Sequence, residues 1–229
     1  MNRFWALTPI FLLAFHAHSE VLEFHADIRI SKSGELSVSE RIVVEANEGA
    51  PGLARELPGA PVIADVLRNG QPEPYVLEGN RLRTGSAPLA KGRHTYQITY
   101  RVARRVAFLD FHDELRWSVG GLAMRRATAE VSLPSSVPRR DIRVQTEHES
   151  FVRDGRAAFR STKPFGPKEA MTFAVRFPKD VVAAPGFGQR ARWYWDDCKG
   201  MLGVLALLVF NALVLLRIRG QSPNSLPRT

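Results

Sequence analysis

The 229 residues carry 32 basic and 23 acidic side chains, a formal net charge of +9, and one cysteine, Cys198. That length holds one sizeable domain plus targeting segments, and a lone cysteine excludes an intrachain disulfide, so the domain must stand on its hydrophobic core. The basic balance points towards nucleic acid, anionic membrane or acidic polymer, but most basic residues are arginines scattered singly or in pairs, as at Arg104–Arg105, Arg125–Arg126 and Arg139–Arg140, which excludes a polybasic block.

Residues 1–19 read as a secretory signal peptide. Arg3 supplies a minimal charged region, Phe4 to Phe15 an apolar run, and Ala17 and Ser19 the small residues before a cleavage point ahead of Glu20. An uncleaved anchor is the alternative. Residues 20–182 then read as strands. Phe24, Ala26, Ile28 and Ile30 alternate with polar residues, Lys32-Ser33-Gly34 turns, and Leu36, Val38, Glu40, Ile42 and Val44 continue the period of two, which predicts a hairpin. Ile63 to Arg68 is a third run closed by Asn69-Gly70, with Tyr75 to Leu77 expected to return from it and Glu78-Gly79-Asn80 turning into Leu82. The longest alternation is His94 to Val106, with Tyr96, Ile98, Tyr100 and Val102 on one face. Leu115–Val119, Ala127–Leu133, Ile142–Thr146, Ala157–Arg160 and Met171–Phe177 supply further strands, punctuated by prolines and by the Asp154-Gly155 turn. About nine or ten short strands without a helical period predict an all-β, immunoglobulin-like β-sandwich.

Residues 183–199, with Pro185, Gly186 and Gly188, are expected to form a flexible stalk ending at a membrane interface marked by Trp193, Tyr194 and Trp195. Residues 200–216, GMLGVLALLVFNALVLL, predict one transmembrane α-helix at the short end of what spans a bilayer. Arg217, Arg219 and Arg228 agree with a cytoplasmic tail over 217–229 and hence a type I topology in the cytoplasmic membrane with the N-terminal domain periplasmic, although Arg190, Arg192 and Lys199 weaken the asymmetry. Asn211 is either a partner contact within the bilayer or a tolerated polar residue, and Cys198 either an interchain link or a spectator thiol.

Several segments together resemble a known family. Gly52-Leu53-Ala54-Arg55-Glu56-Leu57-Pro58, Gly92 to Val102 (GRHTYQITYRV), Asp113 to Gly121 (DELRWSVGG), Ala129 to Pro134 (AEVSLP) and Lys163 to Thr172 with Phe177-Pro178-Lys179 are similar, in order, to segments of the domain of unknown function 2207 family, the exported N-terminal domain of bacterial predicted membrane proteins. The resemblance covers about residues 22 to 182. This chain departs from it at Arg55-Glu56, where the family has arginine–aspartate, at Ser118 in place of an asparagine, and after Leu216, where longer members continue with more spans. The resemblance implies an envelope protein with a β-sandwich ectodomain, and it supplies no catalytic residues.

The densest polar cluster is Asp110-Phe111-His112-Asp113-Glu114. On an extended strand Asp110, His112 and Glu114 would share a face able to hold a metal or to act as a base, the chemistry of a metal-assisted hydrolase. No second histidine arrives at metal-binding spacing, so the alternative is a solvated polar loop. Glu40 with Arg41, and Arg55 with Glu56, read as sheet-face ion pairs. Trp117 reads as a core residue, with a sugar-stacking platform as the alternative. No catalytic, cofactor-binding or metal residues are therefore assigned. The expected function is non-enzymatic binding of a protein partner or anionic envelope polymer by a domain tethered to the lipid bilayer, with nucleic acid disfavoured by export.

Overall fold

The computed structural model of the chain describes residues 19–195, except Ser86, together with Cys198. Residues 1–18 of the expected signal peptide, the apolar run 200–216 and the tail 217–229 lie outside the described residues. Among the described residues no helix is long and apolar enough to cross a membrane. One compact unit ends at Ala184 and a second begins at Pro185. In the second, residues 187–195 are helical, where the sequence predicts a flexible stalk.

The described residues of the first unit are mostly strand, with one short 3-10 turn at Arg139–Asp141. The strands are β1 (Ser19–Ile30), β2 (Leu36–Ala46), β3 (Ala54–Glu56), β4 (Val62–Arg68), β5 (Gln71–Pro72), β6 (Tyr75–Glu78), β7 (Arg81–Thr84), β8 (Gly92–Val102), β9 (Val106–Phe108), β10 (Asp113–Gly120), β11 (Met124–Ser132), β12 (Arg143–Thr146), β13 (Glu149–Arg153), β14 (Arg156–Arg160) and β15 (Ala170–Phe177). They form an eight-stranded sheet ordered β13-β14-β11-β1-β2-β8-β4-β5, a four-stranded sheet β12-β15-β10-β9 and a three-stranded sheet β3-β7-β6.

The predicted β1–β2 hairpin forms in the register Ile30↔Leu36 to Ser19↔Ala46. Its inward series Phe24, Ala26, Ile28 and Ile30 against Leu36, Val38, Ile42 and Val44 is buried throughout, because a period of two places alternate side chains on one face. On its other edge β1 pairs in parallel with β11, Phe24 opposite Ala127 and Ile28 opposite Val131. One expected pairing and one expected strand differ. Tyr75–Leu77 forms its strand but does not return along β4; after Pro72, opposite Leu67, the Glu73 N–H makes a last bond to the Val66 carbonyl at 2.9 Å, and Pro74 brings no N–H to continue the ladder. The chain then crosses to pair β6 with β7. The His94–Val106 alternation stops at Val102, Arg104 takes a left-handed φ of 61°, and Val106–Phe108 joins β10 in the four-stranded sheet.

One hydrophobic cluster draws on all three sheets. Phe159 of β14 stacks on Phe173 of β15 with centroids 4.0 Å apart, which sets the eight- and four-stranded sheets against each other. Trp117 of β10 is 2% exposed within this cluster, so it is a core residue and no sugar can stack on it. Gly52 is required by space: a Cβ there would lie 2.2 Å from the Thr84 carbonyl oxygen, where the 52–58 segment passes over β7.

Candidate functional site

The carboxylate cluster read from the sequence does not converge. Leu109 to His112 is a turn between β9 and β10, closed by the Leu109 N–H donating to the His112 carbonyl at 3.1 Å. Asp110 on it is exposed and Phe111 is 92% exposed. Asp113, not Asp110, is the buried acid beside it, accepting from Lys179 Nζ at 2.7 Å. Glu114 lies on β10 with a side chain 4% exposed, held by Arg116 Nε at 2.6 Å and by Arg176 Nε from the opposing position of β15. Among the described residues no group of three metal-ligating side chains can hold a metal ion.

The hydrogen bonds from Arg116 and Arg176 hold the Glu114 carboxyl below its ordinary pKa, against the opposing effect of burial. A depressed folded-state pKa stabilises the fold above the unfolded value of about 4.3, and that contribution is lost as pH falls through the folded value. The Glu114→Gln variant is therefore expected to show a flatter decline of its urea midpoint below about pH 4.3 than the parent. Parallel acid limbs for the two proteins would contradict this.

The second polar group pairs differently from the sequence expectation. Glu40 does not pair with its neighbour Arg41, nor Arg55 with Glu56. Glu40 occupies an inward position of β2, between Val38 and Ile42, and Arg55 is the single inward residue of β3. They meet in the core with side chains 0% and 4% exposed. Arg55 donates from Nε to Glu40 Oε2 at 2.8 Å and from Nη2 to Oε1 at 3.0 Å. The Tyr100 hydroxyl donates to Oε1 at 2.9 Å, and Arg55 Nη1 donates to the Gly120 carbonyl. The guanidinium also lies 5.0 Å from the Phe24 ring centroid. Burial works to lower the Arg55 pKa, and the Glu40 charge and hydrogen bonds outweigh it, leaving it raised. Burial, followed by the Glu40 charge, pushes the Tyr100 phenol far up. Buried and joined by these hydrogen bonds, the set ties β2, β3, β8 and the end of β10 together in the core. The sequence did hold one sign of it: an acidic residue at an inward position of an otherwise apolar alternation.

What reaches solvent is the outer face of the eight-stranded sheet. Register aligns its outward side chains in rows across the strands, one running Glu149, Arg160, Thr128, His25, Arg41 and Gln97. The next runs Phe151, Ala158, Glu130, Asp27, Ser39 and Thr99. Most arginines of this face are matched by carboxylates: Arg29 with Asp27 at 2.6 Å, Arg156 with Glu130 at 3.0 Å, Arg93 with Glu45 and Arg101 with Glu35 at 3.6 Å. Besides Arg153, which lies over the Phe151 ring 5.2 Å from its centroid, the exception is a depression of about 480 Å³ lined by Glu23, Phe24, His25, Arg41, Arg126, Thr128 and Arg160. Glu23 is shared between Arg41 at 4.0 Å and Arg126 at 3.8 Å, and Arg160 makes no ion pair among the described residues. The Thr128 hydroxyl lies 2.9 Å from His25 Nδ1 and 3.3 Å from the Phe24 carbonyl oxygen. His25 is thereby held at an open site with three guanidiniums around one carboxylate. Such an excess of planar donors suits carboxylate or phosphate oxygens.

Comparison with solved structures finds likeness of fold alone. Native yeast LTA4 hydrolase is 13% identical with a TM-score of 0.51 over 69% of this chain and 29% of the enzyme. The same yeast enzyme with bestatin gives 13% and 0.52 over 69% and 28%. An M1 zinc metallopeptidase from Deinococcus radiodurans gives 12% and 0.46 over 68% and 42%. This chain thus spans under a third of the yeast enzyme. No curated protein matches it. The family described as predicted membrane protein (DUF2207), N-terminal domain, matches residues 20–177. That stretch takes in the buried Glu40–Arg55–Tyr100 set and the Arg41, Arg126 and Arg160 depression, and by it the chain belongs to that family of membrane proteins.

Proposed function

We propose that the chain is an exported binding module that holds an anionic polymer of the cell envelope on the outer face of its eight-stranded sheet, without catalysis. The domain is in this reading a two-layer β-sandwich of immunoglobulin-like kind, supported by the Phe159–Phe173 stack and the core shared between the sheets. It is secreted by residues 1–19, tethered by 200–216 as a single-pass type I protein of the cytoplasmic membrane, and followed by a cytoplasmic tail. The observation that carries the function is the Arg41, Arg126 and Arg160 depression, where cationic donors outnumber the one carboxylate. Most other arginines of this face are matched by carboxylates, which supports a local site over overall basicity.

Binding follows from the same geometry. Repeated carboxylates or phosphates along a polymer can replace the long contacts to Glu23 with closer bidentate ones to Arg41 and Arg126, and can supply the partner that Arg160 lacks. The contacts stay solvated, so affinity rests on several weak sites and is screened by salt. Titration of the full chain in neutral-lipid nanodiscs with polygalacturonate, and with dextran as the uncharged control, tests this. Saturable binding to the polyanion that weakens by about tenfold between about 50 and 300 mM salt is expected; binding that ignores salt, or that dextran shares, would contradict it.

A further inference from the structure

A second surface has a different chemistry. Among the described residues β13 ends the eight-stranded sheet, paired with β14 on one side only. The two-residue turn Asp154–Gly155 joins them with Arg153 opposite Arg156, so that pair exchanges both backbone hydrogen bonds, as do Phe151–Ala158 and Glu149–Arg160. By the same parity the N–H and C=O groups of Ser150 and Val152 point away from β14, to the free side. The turn at its end is tied down: Gly155 N–H donates to the Val137 carbonyl at 2.8 Å, Leu133 N–H to the Gly155 carbonyl at 2.8 Å, and Arg139 N–H to Asp154 Oδ1 at 2.7 Å.

Beside this edge runs a trough of about 680 Å³ between β13 and the 139–144 segment. Ile142, Val144 and Val152 give it apolar lining, and Arg139, Arg140 and Arg143 give it a basic rim. Arg140 reaches only Asp141, at 3.8 Å, and Arg139 and Arg143 make no ion pair among the described residues. Unpaired edges are usually blunted by a covering element, a proline or a bulge. The five residues of β13 contain no proline, and their register with β14 has no break.

We propose that this edge is a strand-addition site for an extended acidic peptide of another protein. Five residues of added strand cover about 17 Å. Its backbone would pair with Ser150 and Val152, its apolar side chains would enter the trough over Ile142 and Val144, and its acidic ones would meet Arg139, Arg140 and Arg143. Charge selects the occupant: a second copy of this chain, at a net +9, would bring like charge to a basic rim. This site shares no residue with the Arg41, Arg126 and Arg160 depression, so the two can fail separately.

The probe is a fluorescent peptide of alternating glutamate and valine, seven residues long, titrated by anisotropy into the full chain in neutral-lipid nanodiscs. Saturable binding is expected. N-methylation of one alternate set of peptide amides should weaken it at least about tenfold, and N-methylation of the other set should leave it within about twofold, because only one set faces the edge. The R139E/R143E variant should lose the peptide at least about tenfold, while R160E should bind it as the parent does. Equal effects of the two methylation patterns, or no saturable binding, would overturn the proposal, and neither outcome depends on how a protein variant folds.

Discussion

Replacing Glu40 by alanine is expected to lower the unfolding free energy by about 3–5 kcal/mol, the cost of leaving a buried charge without its partner. The Arg55 guanidinium would remain in the core with the Gly120 carbonyl as its one acceptor, and the Tyr100 hydroxyl would lose Glu40 Oε1. An isolated cation of that kind is far more costly than the lost attraction alone, because water cannot replace the carboxylate. Substituting both partners, as in Glu40→Leu with Arg55→Met, removes the charge along with its counter-charge and should restore most of the loss, with Tyr100→Phe relieving the remaining hydroxyl. The measurement is urea unfolding of residues 20–184, followed by the fluorescence of Trp117, the one tryptophan in that stretch. A Glu40→Ala cost under about 1 kcal/mol would mean that the pair is solvated, contrary to its burial.

Trp117→Ala is expected to cost about 3–5 kcal/mol as well, by a different route. The indole is 2% exposed in the core cluster that the sheets share, and the Arg105 guanidinium rests 5.7 Å from its ring centroid. Truncation leaves a cavity and strips Arg105 of that contact. The indole Nε1 has no hydrogen-bond partner among the described residues. Trp117→Phe therefore removes volume but no polar interaction, and should cost less than half as much. Circular dichroism during urea unfolding reads both variants, and equal costs for them would show that the indole N–H is engaged after all.

How much of this was legible in the sequence depends on the range of the interaction. The inward faces of β1, β2 and β8 follow from alternation alone, since each strand carries its own hydrophobic period. The inward position of Glu40 follows from the same parity. Its partner does not: Arg55 sits on a three-residue strand too short to show a period, and the pair forms only when β3 is laid over β2 and β8. The parallel placement of β11 beside β1 is equally non-local, and with it goes the row that brings Arg160, Thr128, His25 and Arg41 together from four strands. The carboxylate cluster failed for the opposite reason. Asp110, His112 and Glu114 are close in sequence, but the reversal at Leu109–His112 breaks the extended geometry on which a shared face depends. Helix 187–195 went unpredicted because Pro185, Gly186 and Gly188 read as breakers, and its last turns are aromatic rather than periodic.

The central claim is that a local site on the outer sheet face, and not the net charge of the chain, recognises an anionic polymer. The most direct measurement compares two full-chain variants with identical net charge by polygalacturonate titration: R41E/R160E, which reverses the depression, and R93E/R101E, which reverses two arginines of β8 on the same face. The first should weaken binding at least about tenfold more than the second. Equal losses in the two variants would reduce the interaction to overall basicity and contradict the site.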